Sequence, residues 1–247
     1  ALTLPTYHVK DLEGHVLEAK IEDLGANFEY DLPKDKFRQP RIARQVRVTL
    51  PVHLAALSWA SFQLVEGQVE GRDGIYQNGV IDTPFVTVSV DEGITFYDKT
   101  THEAYEDFIR FEDRGDIGNE YIYFQPKGTE PIYAELKGYE VLENNARYAT
   151  ILLKHELTVP VSADEKLDEE QRGIIEFMKR DAGRSEELTS IPLETEMTVF
   201  VDNPQVRFKT RFTNTAKDHR IRVLVKTHNT RPSNDSESIY EVVTRPN

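Results

Sequence analysis

Apolar residues fall at every second position through most of this chain, in short runs separated by turn residues. Residues 85–90 alternate, Asp91-Glu92-Gly93 turns the chain, and residues 94–97 return, which predicts a hairpin. A weaker hairpin is predicted where residues 6–9 and 15–21 flank Asp11-Leu12-Glu13-Gly14. Residues 42–50 place Ile42, Val46, Val48 and Leu50 on one parity with Arg44 among them, as an edge or partly covered strand does. Residues 57–65 read as another strand, carrying the single tryptophan, Trp59. Further strands are expected at 132–141 and 146–161, with Glu143-Asn144-Asn145 turning between them. Residues 192–201 place Leu193, Met197, Val199 and Val201 together, and 206–213 do the same for Val206, Phe208 and Phe212. In residues 221–225, Ile221, Val223 and Val225 are expected inward and Arg222 outward. Period-two patterning at strand spacing, without intervening helical periods, predicts an all-β fold: a large antiparallel β-sandwich.

One stretch breaks the pattern. Residues 163–187 are dominated by charged side chains and read as a long solvated excursion. A short helix over 169–180 would have only Ile174, Ile175, Phe177 and Met178 to hold it. Residues 66–80, rich in glycine and acids, mark a boundary. The expected organisation is a small β-module over 1–66, a linker over 67–82, and the large sandwich over 83–247.

The 247 residues contain no cysteine, which excludes a disulfide framework and thiolate chemistry and fits a cytoplasmic setting. A net charge of −13 argues against a nucleic-acid partner, because phosphate binding needs a basic face. No apolar run is long enough to span a membrane as a helix, and no signal-peptide pattern is present. The chain starts at Ala1 and stops directly after a β-prone segment, so it is expected to be a piece of a longer polypeptide.

The densest candidate chemistry is RFEDRGDIGNEYIYFQP, residues 110–126. Gly115 and Gly118 sit where the chain must turn, and Asp113, Asp116, Asn119 and Glu120 are acceptor side chains beside them. Residues 121–124 then read as a strand leaving the turn. Such a loop either presents carboxylates and a phenol to a hydroxyl-rich ligand or is a hydrogen-bonded surface loop. Acids on one tight loop cannot flank a sugar ring, so acid–base catalysis by Asp113, Asp116 and Glu120 alone is not expected. The seven histidines form no His-x-His, His-x-Asp or His-Glu-x-x-His motif, so no metal site is expected. Asp218-His219 lacks a nucleophile motif and reads as a strand entry with a satisfied turn histidine. Phe37-Arg38-Gln39-Pro40 is a solvated basic loop or a docking contact.

Four stretches in order resemble glycoside hydrolase family 38, the α-mannosidases: residues 30–48, 86–101, 110–126 and 212–227. The third is similar to the loop that opens the family's C-terminal β-domain, Gly-Asp-x-Gly-Asp-x-Tyr in bacterial members. The resemblance implies a supersandwich of the galactose mutarotase-like type. It also implies a parent that removes terminal α-mannose with retention, through a glycosyl-aspartate intermediate. The zinc ion and the nucleophile would belong to an N-terminal catalytic domain of the same polypeptide, outside this chain, so no cofactor is expected here. This piece would pack on that domain and complete one wall of the sugar pocket, without activity alone. By the same resemblance Tyr121 reaches the mannose subsite, with Asp116, Asn119 and Glu120 on the loop leading to it. Asn119 stands where the bacterial loop has Asp. On its residues alone, Tyr121 reads equally as a buried strand aromatic. The alternatives are a free-standing carbohydrate-binding module and a mutarotase-like epimerase; the latter needs a buried histidine and an acid in one cleft. His155 and Glu156, adjacent on a strand, point to opposite faces.

Overall fold

The computed structural model describes residues 6–67, 73–91 and 93–246. They form two compact units, divided between Arg72 and Asp73. Unit 1 holds β1 (Tyr7–Lys10), β2 (Val16–Leu17), β3 (Lys20–Asp31), β4 (Gln39–Thr49) and β5 (Gln63–Glu66). β1 pairs with β2 and β5, and β3 and β4 form a long two-stranded ribbon. The ribbon is bulged between Asp23 and Gly25, and Gly25 has φ 89°, open to glycine at little cost. Only Gln63–Glu66 of the strand expected over 57–65 forms. Leu57 is in a left-handed conformation beside the Ala55–Ser58 turn, which breaks an extended path, and Trp59 is 82% exposed.

Unit 2 begins inside the stretch expected to be linker. β6 (Tyr76–Gln77) and β7 (Val80–Asp82) lie there, and Ile81 is fully buried. β8 (Val86–Ser89) and β9 (Thr95–Asp98) form the expected hairpin, and β10 (Glu103–Glu106) completes a sheet ordered β10-β9-β8-β7-β6. β11 (Ile109–Gly115) pairs on one side with β12 (Ile132–Tyr133). β13 (Glu135–Asn144), β14 (Tyr148–Pro160), β15 (Leu188–Phe200) and β16 (Val206–Phe212) form a four-stranded antiparallel sheet. β17 (His219–Val225) pairs on the other side of β11, and β18 (Ser233–Ser238) and β19 (Glu241–Pro246) make a hairpin.

The core follows from the parity. Ile151, Leu153, Leu157 and Val159 of β14 meet Ile191, Leu193, Met197 and Val199 of β15, all fully buried. Val86, Val88, Ile94, Phe96, Ile109 and Phe111 close the same cluster. Each such side chain contributes about 1.5–3 kcal/mol on full burial, so register is strongly specified here. At the sheet edge the parity reading fails: Val223 and Val225 are about half exposed, because β17 has only β11 as a strand neighbour among the described residues.

The charged stretch is folded rather than solvated throughout. A helix, α1, spans Glu165–Arg172, N-capped by Asp164, whose carboxylate accepts from Lys166 N at 3.1 Å. It ends at Gly173, and Ile174 is left-handed and 90% exposed, so the four apolar residues expected to hold a helix lie beyond this one. Leu167 grips instead, in a small second core with Ile117, Ala163 and Ala182.

Candidate functional site: the loop after β11

β11 ends at Gly115, where a Cβ would meet Arg184 Cδ at 2.9 Å and Pro126 Cγ at 3.0 Å. The chain then turns under its own polar side chains. Asp116 Oδ1 accepts from Gly118 N at 2.9 Å and from Phe124 N at 3.1 Å. Asn119 Oδ1 accepts from Tyr121 N and Ile122 N at 2.9 and 2.8 Å. Ile117 N donates to Phe124 O, and Asn119 N to Ile122 O. These bonds take the backbone groups that a ladder would use, which is why residues 121–124 are not the expected strand.

The loop sorts its candidate residues by role. Asp116 and Asn119 are engaged in holding the turn. Glu120 and Tyr121 stand at the exposed tip, with Tyr121 92% exposed rather than buried among sandwich aromatics. Asp113 is not on the loop; it is fully buried on β11.

The folded charged stretch grips this loop from outside. Arg180 Nη1 donates to Ile117 O and Gly118 O, each at 2.6 Å. Phe177 packs edge-to-face on Phe124 with centroids 5.8 Å apart, and Lys127 Nζ pairs with Asp181 at 2.5 Å. Ile117 sits in the small core with Leu167.

Below the loop lie two ionic groups, one on each face of β11. On one face Asp113 meets His219 Nδ1 at 2.5 Å and Arg184 Nη1 at 2.6 Å. His219 Nε2 donates to Asn214 Oδ1 at 3.0 Å, and Ala216 N donates to the same oxygen, which fixes the amide orientation. His219 is therefore the satisfied strand-entry histidine expected. On the other face Glu112 is a hub. It accepts from Arg114 Nε at 2.9 Å, Arg222 Nε at 3.0 Å and Tyr133 Oη at 3.2 Å. Burial works against its charge, but these donors outweigh burial and hold its pKa at about 2.

Asp11, Glu13 and His15 bring ligand atoms within 4.8 Å of one another, but they are surface groups at a turn, with His15 already paired to Asp11 at 2.9 Å. Asp113 and His219 are committed to Arg184 and Asn214. The resemblance places its zinc ion in a catalytic domain outside this chain, and Asp113 and His219 show no open ligand position for one here. Elsewhere, His155 is buried with Nδ1 unpartnered, and burial lowers its pKa. It lines a cleft of about 200 Å³ with Asp107 and Arg110, whereas Glu156 bonds Ser190 instead.

Three residues of this site escaped the sequence reading. Arg180 and Arg184 lie in the stretch that reads as solvated. Glu112 had a signal: Arg110-x-Glu112-x-Arg114 is a charged alternation at strand period.

Residues 1–66 match the family model described as glycosyl hydrolases family 38 C-terminal domain 1. Over its whole length the chain is 34% identical to a protein of Halalkalibacterium halodurans named "Putative mannosylglycerate hydrolase" and covers 29% of it. The crystal structure of an alpha-mannosidase from Enterococcus faecalis V583 superposes with a TM-score of 0.83 at 38% identity. That match takes in 99% of this chain and 29% of the other. A second structure, of a family 38 glycosyl hydrolase protein from Enterococcus faecalis, gives 0.84 at 36% identity, over 99% of this chain and 30% of the other. The chain thus spans under a third of the length of these relatives.

Proposed function

This chain belongs to glycosyl hydrolase family 38, in its C-terminal β-region, and from that premise we propose that it is the accessory part of an α-mannosidase. The parent removes terminal α-mannose with retention, and its zinc ion and nucleophile lie in an N-terminal catalytic domain of the same polypeptide. This chain braces that domain and lends Tyr121 to the sugar pocket. The observation that carries the reading is the tip itself: an exposed phenol and an exposed carboxylate on a loop whose backbone is held by Asp116, Asn119 and Arg180. A tyrosine can bond a sugar hydroxyl and stack on the ring, and a rigid base lowers the entropy cost of placing it. Mannose-bearing glycans are the expected ligands. Mannosylglycerate is a second substrate to try, from the name of the Halalkalibacterium halodurans relative.

The test is Tyr121→Phe in the longer polypeptide. Turnover of a chromogenic α-mannoside should fall at least ~10-fold, roughly 1.4 kcal/mol of transition-state stabilisation. Unchanged kinetics would remove Tyr121 from the pocket.

The mutarotase-like reading keeps one observation in its favour, the cleft shared by buried His155, Asp107 and Arg110. Polarimetry of α-glucose or α-galactose with this chain decides it. Acceleration lost in His155→Ala supports an epimerase, and the uncatalysed rate sinks it.

A further inference from the structure

The outer face of the β12-β11-β17 sheet concentrates arginine in an otherwise acidic chain. Register places Arg110 opposite Leu224, Glu112 opposite Arg222 and Arg114 opposite Arg220, all sharing one face. Tyr133 lies opposite Glu112 from the other side. Four arginines therefore share a face with one carboxylate, a surplus of three positive charges in a chain of net charge −13. Arg114 and Arg220 are direct cross-strand neighbours, and like charges so placed are destabilising. Local rules are broken in this way mainly where function requires it.

Glu112 satisfies only part of the cluster. Its oxygens take Arg114, Arg222 and Tyr133. Among the described residues neither Arg110 nor Arg220 has a carboxylate at ion-pair distance. Each instead has its guanidinium carbon over an aromatic ring: Arg110 over Tyr133 at 4.0 Å and Arg220 over Tyr123 at 3.6 Å. A cation over a ring face is held by the ring quadrupole without using its N–H donors. Tyr123 belongs to the return limb of the Tyr121 loop, and Gln125 of that limb accepts from Arg114 Nη1 at 3.1 Å. The arginine face therefore borders the loop.

We propose that this face is an oxyanion-binding site, in which Arg110 and Arg220 supply the donors beside the Glu112-held Arg114 and Arg222, for a carboxylate or phosphate group of a small ligand. Planar guanidinium forks match both groups by paired hydrogen bonds. Glu112 keeps the Arg114 and Arg222 forks oriented and lowers the charge of the face, which one such group would lower further. The proposal stands independently of the accessory reading, since it requires no turnover.

The test is a titration of the chain, labelled at arginine Nε, with inorganic phosphate in one arm and acetate in the other, at constant ionic strength. Saturable shifts of the Arg110 and Arg220 signals are expected, and the arm that binds tighter identifies the group. Arg110→Gln alters an exposed position and should weaken binding about 10-fold, with the fold intact by circular dichroism. Arg220→Gln should do the same. Non-saturating shifts matched by chloride, or binding unchanged in both variants, overturn the site. Repeating the titration on the longer polypeptide separates a ligand from protein carboxylates. A retained response supports the ligand, and a lost one means that the rest of the polypeptide covers the face and the proposal fails.

Discussion

Tyr121 and Asp116 are five positions apart and carry opposite kinds of burden. Asp116 is engaged by two backbone donors, so Asp116→Ala leaves Gly118 N and Phe124 N without their acceptor. A loss of about 1–3 kcal/mol is expected, read by chemical unfolding, with faster amide exchange at those two positions. Tyr121 is almost wholly exposed, and Tyr121→Ala should leave the stability of the chain within about 0.5 kcal/mol. Gly118 is the strictest position, since a Cβ there would fall 1.8 Å from Ile122 O. Gly118→Ala should therefore cost about 1–3 kcal/mol and loosen the tip, read by thermal unfolding and exchange. Glu112 sets a pH dependence. Its folded pKa of about 2 lies below the ordinary 4.5, so its stabilisation is complete above about pH 4.5 and disappears as pH falls toward 2. Glu112→Gln should flatten that part of the stability–pH curve. The residue types of the loop were legible in the sequence, and their division of labour was not. Whether an Asp side chain faces a ligand or its own backbone depends on a turn geometry that several loop sequences can adopt.

Hairpins and long strands were legible because a one-residue slip would turn every apolar side chain to solvent. β8, β9, β14, β15 and β16 appear where the alternation places them. Legibility failed where local chemistry competes with the ladder. Asn119 and Asp116 capture the donors of residues 121, 122 and 124, and Leu57 adopts a left-handed turn. It failed again over 163–187, where one buried leucine and an Asp cap replace the broad apolar face that periodicity detects. That element has a definite role as a clamp on the loop. Arg180→Ala removes the donor to Ile117 O and Gly118 O. It should raise hydrogen exchange across residues 117–124 while leaving the β14–β15 core protected. Unchanged exchange in the loop would show that the small core alone holds it. Arg180→Lys should restore only part of the protection, because an ammonium lacks the planar geometry.

At the scale of the molecule, the alternation supported an antiparallel all-β fold, which the structure has, and the chain divides into two compact units between Arg72 and Asp73. The boundary was harder to read, because β6 and β7 are only two and three residues long and sit in a glycine-rich stretch that resembles a linker. The well-packed core leaves Val223, Val225 and Tyr121 to solvent, and the relatives are more than three times longer than this chain. On the proposed function these groups meet the rest of the polypeptide, and catalysis belongs to the whole. The most direct measurement is hydrolysis of a chromogenic α-mannoside by three samples: this chain, the longer polypeptide with zinc, and the longer polypeptide carrying Tyr121→Phe. The account predicts no turnover by the chain alone, turnover by the longer polypeptide, and at least a ~10-fold loss in the variant at unchanged folding stability. Turnover by the chain alone, or full activity in the variant, would contradict it.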